Sequence, residues 1–432
     1  MIATAARGGS FAIADTSVPI FVLRSNDDIF QHGPLAVARS AGRLGIPVHG
    51  VCGSRWEPLG LSRYSRPGDA WVGPDLPEDH RLEALLAVGS RLGPAVLIPV
   101  DDPSTIFVED HASDLRRHFR FPEQPPSLCR RLSSKREMHD VCRDLGIPTP
   151  ACGFPRNESE LLLLAAETEF PVVLKQSDGW LPSADPDASS VLIVSDHETL
   201  VDGYRRMESW ERPNVILQEY IPGGSDSIWI FNGYFDGDSR CIAGFTGRKL
   251  RQRGPHTGPA TLGECVANET VADATRRLAG ELGYRGIIDI GFRHDQRDGL
   301  YKLLDVNPRL GGSFRMFVDE NGLDVVRALY LDLTGQVVRA NAVPDGRKWV
   351  VEPYDLVSAL QLMREGSLRL HRWLRSFRGL REAAWFTRDD PLPFVAMGLR
   401  MMLVGLRRLL RRLPRSRRAS SPRRQAGAAE IS

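Results

Sequence analysis

Residues 286–313 read GIIDIGFRHDQRDGLYKLLDVNPRLGGS, and this stretch decides the fold. Two short apolar runs, GIIDIGF at 286–292 and LYKLLDV at 300–306, flank a turn at DQRDG. Side chains alternate faces along a strand, so Ile288, Ile290 and Phe292 share one face of the first run. Leu304 and Val306 are expected to share the matching face of the second. Asp289, Asp305 and Asn307 then point together to the other side. Two carboxylates and an amide oxygen on one sheet face form a hard oxygen site, suited to Mg²⁺ held partly by protein and partly by phosphate oxygens. The alternative is the solvent face of an edge hairpin, where acids are ordinary. Arg309 and the Gly311-Gly312-Ser313 run favour the site, because a glycine-rich turn after an acidic strand end presents backbone N–H groups to an anion.

Upstream of this pair, strands and helices are interleaved with a hairpin. A helix is predicted over 157–168, strands over 171–175 and 190–194, a helix over 197–207 and a strand over 214–219. SIWIFNGYF and CIAGFTG then form a hairpin around Asp236-Gly237, and a helix covers 268–282. This is an α+β pattern. Further back the order changes to strand 18–24, helix Pro34–Leu44, strand 47–52, helix 81–92 and strand 95–100. Regular alternation of that kind implies a doubly wound parallel sheet. The last of these strands ends in Asp101-Asp102, and ligands of such sheets sit beyond the carboxyl ends of strands. No G-x-G-x-x-G follows the first strand, so a dinucleotide site is unsupported. A proline-rich stretch near 121–132 marks a boundary. Ser134-Lys135-Arg136-Glu137 reads as a capping box opening a helix whose apolar stripe is Met138, Val141, Cys142 and Leu145.

At this point the residues resemble a known family. DVNPRLGGS, with the acid-bearing strand before it, is similar to the metal-binding signature of the ATP-grasp superfamily, and other pieces follow that family's order. Lys135 opens a helix before the segment GIPTP, Lys175 ends the strand PVVLK, and NVILQEYIPGG resembles the family's adenine-binding hinge. GFTGRKLRQ and WFTRDDPLP resemble the narrower group of D-aspartate ligase-like carboxylate–amine ligases. The resemblance implies an N-terminal doubly wound (pre-ATP-grasp) domain, an ATP-grasp fold of two α+β lobes and a helical C-terminal tail, α/β and α+β in class.

The resemblance also implies roles. Lys135 and Lys175 would meet phosphates, and a cation at a helix start, as at Lys135, opposes the helix dipole unless an anion joins it. Gln218, Glu219, Tyr220 and Ile221 would read adenine, and Asp226 would take the ribose. Asp289, Asp305 and Asn307 would hold Mg²⁺, with Mn²⁺ as a substitute. Lys249, Arg251 and Arg309 would act on the γ-phosphate and the acyl group. Plain alternatives stand beside these roles: a surface lysine at 175 or 135, a turn aspartate at 226, and pairing of Arg309 with Asp305 or Asp319. The loop SDGWLPSADPDASS after Lys175 has one glycine, where the family's phosphate-covering lid is glycine-rich; a flexible lid is still expected. The implied reaction phosphorylates a carboxylate with ATP and passes the acyl group to an amine. Rival readings are a bicarbonate-activating, biotin-carboxylase-like enzyme and a non-catalytic ATP-binding protein at a membrane.

Composition agrees with a globular protein of more than one packed unit: 432 residues, 42% hydrophobic and 25% charged. The expected division is a disordered tail (1–17), the parallel-sheet domain (18–128), the two-lobed ATP-grasp domain (129–335), a helical extension (336–390) and a basic amphipathic tail (391–432). Six cysteines without a C-x-x-C pair suggest reduced thiols in a cytoplasm. Residues 1–17 are expected to be a frayed tail and not a signal peptide, and no run of about 18 apolar residues is present. G-x-S-x-G, H-E-x-x-H and the P-loop are absent as well. The charge is uneven. Residues 391–432 hold ten arginines and one acid, whereas the 390 before them hold 46 bases and 53 acids. Between Phe394 and Leu413 the residues Val395, Leu399, Met402, Leu403, Leu406, Leu410 and Leu413 recur at helical spacing. An arginine-flanked stripe of this kind suits an anionic membrane surface through residues 394–424, on the inner face of the membrane; the alternative is a helix docked on the body. Nucleic acid is not expected, since stacking aromatics are lacking.

Overall fold

The computed structural model describes residues 13–26, 31–66, 76–185, 188–254 and 257–412, and side chains as far as residue 404. Among these residues there are sheets of four, four and seven strands. The first unit runs β1 (Ile20–Leu23), α1 (Gly33–Gly42), β2 (Val48–Gly50), α2 (Pro58–Leu61), α3 (Glu78–Leu92), β3 (Ala95–Pro99), α4 (Asp102–Asp110), α5 (Ala112–Leu115) and β4 (Phe119–Arg120). Its strands are parallel, in the order β2-β1-β3-β4. Ile20, Val22, Val96 and Ile98 feed a core with α1 on one side, while Phe21, Leu23, Ala95 and Leu97 feed another with α3 and α4. Burial on both faces is why these strands read as unbroken apolar runs. The expected tail of residues 1–17 ends early. Ile13 packs on the core, and the N–H groups of Ala14 and Asp15 donate to Gln336 Oε1, each at 3.0 Å.

The second unit runs α6 (Leu128–Ser133), α7 (Lys135–Asp144), β5 (Cys152–Gly153), α8 (Glu158–Ala166), β6 (Val172–Gln176), β7 (Val191–Val194), α9 (His197–Met207) and β8 (Val215–Glu219). The strands are antiparallel in the order β5-β8-β6-β7, and α8 and α9 bury Leu161 and Leu200 against Leu174 and Leu217. Two expectations change here. Ser134 makes no side-chain cap to α7. The cap comes from across the chain: the N–H of Lys135 donates to Ser177 O (3.2 Å) and that of Arg136 to Ser177 Oγ (3.2 Å). The described part of the loop after Lys175 is tied back at three points. Its Asp178 N–H donates to Asn214 Oδ1 (2.8 Å), Ala184 N–H to Glu208 O (2.8 Å) and Asp185 N–H to Arg206 O (3.0 Å).

The third sheet is built from β9 (Ile228–Phe235), β10 (Cys241–Gln252), β11 (Ala260–Cys265), β12 (Gly286–Asp295) and β13 (Leu300–Asn307), with α10 (Glu269–Glu281) between β11 and β12. After α11 (Val325–Leu333) come β14 (Lys348–Val350), α12 (Glu352–Arg364), α13 (Leu370–Ser376) and β15 (Leu380–Ala383). The order is β13-β12-β9-β10-β11-β14-β15. Residues 336–390 are therefore not a purely helical extension. β14 pairs with β11, and β15 lies parallel to β14. At three and four residues these strands are too short to show a period in the sequence. One face of the large sheet packs on α10 through Phe231, Ile290 and Leu278. The other shares a core with α11 and the first unit.

The segment WFTRDD (385–390) closes over α1. Buried Arg39 donates to Asp390 Oδ2 (3.0 Å) and to the carbonyls of Ala384, Trp385 and Asp390. Arg43 pairs with Asp389 at 2.9 Å. The chain then enters α14 (Leu392–Arg412). This helix packs on α2, burying Met397 and seating Met401 against the core. Its other face leaves Leu392, Val395, Leu399, Met402 and Leu403 exposed. The expected stripe thus points away from the body as far as it is described; the side chains of Leu406 and Leu410, and residues 413–432, lie outside the described residues. No helix among the described residues is long and apolar enough to cross a membrane.

Candidate active site

A cavity of about 560 Å³ lies between the β5–β8 sheet and the large sheet, and His32, just before α1, adds to its lining. Ten of the thirteen residues singled out in the sequence for adenine, ribose, phosphate, metal and acyl roles line it, Arg309 and nine others. The nine are Lys135, Lys175, Gln218, Tyr220, Ile221, Lys249, Asp289, Asp305 and Asn307. The small sheet contributes the apolar surfaces of Val173, Val191, Ile193 and Ile221, and Leu304 adds to them from the large sheet.

The acidic pair owes its placement to register. Asp289 lies opposite Asn307, and Asp305 lies opposite Gly291. A bulge follows, because Phe292 pairs with Leu303 and Leu304 is the extra residue. Leu303 and Val306 are buried in the core, whereas Leu304 turns into the cavity. The expectation that Leu304 shares the core face with Val306 is thereby overturned: an extra residue in one strand breaks the two-residue alternation. Asn232 Nδ2 donates to Asp289 Oδ2 (3.1 Å), and Asn307 Nδ2 donates to Asp305 Oδ2 (3.2 Å). A side chain at Gly311 would place its Cβ 2.3 Å from Asp289 Oδ2, so only glycine lets the turn approach the carboxylate. Burial, reinforced by the charge of Asp305, pushes the Asp289 carboxyl up to about 6.

Opposing cations surround this pair. Lys175 sits on β6 and is buried; burial pulls its ammonium down to about 8, against the favourable charge of Asp305. Lys249 on β10 is shifted down for the same reason, and its Nζ donates to Gly258 O (2.8 Å). Lys135 Nζ reaches Ser177 O at 3.4 Å. Arg309 donates through Nε to Asp102 Oδ1 (2.5 Å) and through Nη2 to Asn307 Oδ1 (3.1 Å). Its partner is thus Asp102 from the start of α4 in the first unit, and neither Asp305 nor Asp319. Asp101 beside it caps α4 and holds the N–H groups of Ser25 and Asn26.

Three candidates fall elsewhere. Arg251 leaves the cavity because the β10–β11 ladder is irregular on both sides of it. Its guanidinium is buried against Asp355 (Nε to Oδ1 2.7 Å, Nη2 to Oδ2 2.9 Å) and Ser376 Oγ (2.9 Å). Gln252 faces the cavity in its stead. Asp226 is exposed in a short 3₁₀ turn, outside the lining. The Glu219 carboxylate pairs with Lys302 (3.2 Å) and Arg297 (3.0 Å), and its N–H is taken by Ala151 O. Besides Gln252, the sequence reading missed His32, Arg293 and Trp349, which also line the cavity. Arg293 continues the alternation Asp289, Gly291, Arg293 and was legible on that ground. His32 and Trp349 arrive from remote segments and carried no local signal.

No protein-family model matches the chain. In sequence it is similar to the D-aspartate ligase of Enterococcus faecium (strain Aus0004), 28% identical over 244 residues, which is 54% of this chain and 57% of that one. The chain thus spans about half the length of the curated relatives it matches. In structure it is similar to the L-amino acid ligase from Bacillus licheniformis (TM-score 0.54, 16% identity, 78% of this chain and 79% of that one). The biotin carboxylase from Campylobacter jejuni, solved as a complex with a β,γ-ATP compound, gives a TM-score of 0.56 at 17% identity, over 74% and 72% of the two chains. These likenesses show the ATP-grasp fold. The relative matched in sequence is a ligase.

Two outcomes are expected from this geometry. Arg251→Met leaves Asp355 buried without its partner and costs roughly 3–5 kcal/mol in urea unfolding, with nucleotide affinity unchanged; weaker nucleotide binding at parental stability would return Arg251 to the site. The second concerns Lys175. It is a cation below its depressed pKa of about 8 and neutral above it, and a bound polyphosphate favours the cation. Nucleotide affinity therefore falls as pH rises through that value, and calorimetry in buffers of different ionisation enthalpy shows proton uptake on binding there. Lys175→Met abolishes the uptake. Uptake that survives the substitution belongs to another group.

Proposed function

We propose that the chain is an ATP- and Mg²⁺-dependent ligase that phosphorylates a substrate carboxylate and transfers the acyl group to an amine, forming an amide. The observation that carries this reading is the single cavity in which the Asp289–Asp305 pair meets Lys135, Lys175, Lys249 and Arg309. Acids alone would suit any divalent cation, and cations alone any anion. Their apposition suits a metal shared with a polyphosphate. Among the described residues no cluster of three or more His, Cys, Asp or Glu is able to hold a metal alone, which fits an ion completed by phosphate oxygens. Asp289 and Asp305 would hold it. Asn307 would join through Oδ1, which accepts from Arg309 and keeps a second lone pair. The ion would neutralise charge on the β- and γ-phosphates.

In this reading adenine lies on Tyr220 and Ile221, among the apolar side chains of the small sheet. Lys135 and Lys175 neutralise phosphate. Arg309, fixed by Asp102, faces the reacting carboxylate with a guanidinium already oriented. A carboxylate oxygen attacks the γ-phosphorus and ADP leaves. The amine then attacks the acyl carbon, and the C–O bond to phosphate breaks. Exclusion of water by the cavity protects the acyl phosphate between the two steps. The demand for ATP suits a cytoplasm. ADP release over a panel of amino acids, each tried as donor and acceptor, with bicarbonate alone as a control, tests the reaction class. Asp305→Asn is expected to keep the fold and lose at least a hundredfold in Mg²⁺-dependent turnover, roughly 3 kcal/mol of transition-state stabilisation. Turnover at the parental rate would contradict the metal role.

We also propose that α14 lies on an anionic membrane surface. The supporting observation is that its docked face is Met397 and Met401, while Val395, Leu399, Met402 and Leu403 are exposed ahead of an arginine-rich end. Full-length protein is expected to co-sediment with phosphatidylglycerol vesicles at moderate salt, and protein lacking residues 391–432 is not. Equal binding by both, or self-association without vesicles, contradicts the proposal.

A further inference from the structure

His32 is the residue of the first unit that enters the cavity from the loop before α1. Its ring is fixed on several sides. Trp349 meets it edge to face, with centroids 5.3 Å apart at 85°, and Trp385 lies 6.0 Å away. Gly312 passes so near that a Cβ there would stand 2.7 Å from the ring's Cε1 and 3.2 Å from Nδ1. The neighbouring Gly311 makes the same close approach to Asp289. The two glycines thus form a bridge one residue long between the metal-binding carboxylate and the imidazole.

The two ring nitrogens differ. Nδ1 is buried and has no hydrogen-bond partner among the described residues. A buried N–H without an acceptor is costlier and rarer than an unused lone pair. The proton of the neutral ring is therefore on Nε2, and the exposed part of the ring faces the cavity. Burial also holds the ring in the neutral form, pulling its pKa down to about 4. The imidazole is thus a neutral donor held by aromatic packing, and no carboxylate among the described residues competes for its N–H.

Resting on the ligase reading above, we propose that His32 is a substrate-contacting residue whose Nε2–H donates to a carboxyl oxygen of the acid being activated, across the Gly311-Gly312 turn from the metal-binding pair. Arg309 serves the carboxylate as a cation. His32 adds a donor that strengthens when negative charge gathers on the acyl oxygen during attack by the amine, and that never salt-bridges the incoming acid. Such a donor costs no reorganisation at the moment of reaction. The small first unit then does more than pack against the ligase body: it completes the acid's binding site.

Two measurements test this. Nitrogen NMR of protein labelled at histidine, with His32→Gln used to assign the signal, is expected to show the Nε2–H tautomer at neutral pH. A cationic or Nδ1–H ring overturns the proposal, whatever the outcome of the activity screen. In turnover with the amino-acid panel, His32→Leu is expected to lower kcat/KM for the acid by about a hundredfold, the usual scale for loss of one oxyanion donor. Affinity for MgADP stays unchanged and thermal stability is close to parental. His32→Gln, which keeps an N–H, recovers much of the loss. If Leu and Gln are equally impaired, or if MgADP binding falls with them, His32 has a packing role only. Failure of the unaltered protein to release ADP with any acid would count against the ligase reading instead.

Discussion

The contact on which the cavity depends is the one between Arg309 and Asp102. Arg309 follows β13 by two residues, and Asp102 opens α4 at the carboxyl end of β3. This contact fastens the edge of the parallel sheet to the end of the strand that carries Asp305 and Asn307. With the fastening in place, the Gly311-Gly312 turn lies against Asp289 on one side and the His32 ring on the other. Removal of either partner would leave a half-buried charge and also free the two sheets to part. Asp102 belongs to the region where a doubly wound sheet binds ligands. Here that position orients an arginine of another sheet.

A second tie works at a distance. Arg39 and Arg43 of α1 hold Asp390 and Asp389 at the end of the chain, and β14 and β15 extend the large sheet just before them. The chain's last segments therefore pass from the far edge of the large sheet to the back of the first helix. Trp349 and Trp385, which flank His32, sit on this path. The C-terminal third thus supplies one wall of the cavity and the brace behind it. A buried arginine satisfied by three carbonyls and a carboxylate is a specific brace as well as a stabilising one, since few other arrangements of these segments would satisfy all its donors.

Most of the fold was legible in the sequence because its strands and helices are strongly periodic. The parallel sheet of the first unit, the hairpin at Asp236-Gly237 and the β12–β13 pair with its acids all followed from alternation and turn chemistry. What was not legible has local causes. At Leu304 one extra residue exchanges the faces of a strand, and irregular pairing around Arg251 sends that side chain under the sheet and brings Gln252 to the cavity. Alternation cannot register an insertion that only the partner strand defines. Ser134 looked like a cap because the motif is local, yet Ser177 of another segment supplies it. Glu219 looked like part of a hinge, yet Lys302 and Arg297 lie beside it in space. His32 depends on packing between segments over 300 residues apart, which one sequence does not display.

The central claim is that this cavity activates a carboxylate by attaching phosphate to it. It is tested most directly with the acid that supports ADP release, labelled with ¹⁸O in its carboxylate. Attack of a carboxylate oxygen on the γ-phosphorus, followed by loss of phosphate to the amine, moves one labelled oxygen into inorganic phosphate for each amide formed. Mass spectrometry of the phosphate is expected to find it there, with ADP as the other product. Amide formed with unlabelled phosphate, or with the label in AMP, would contradict the account.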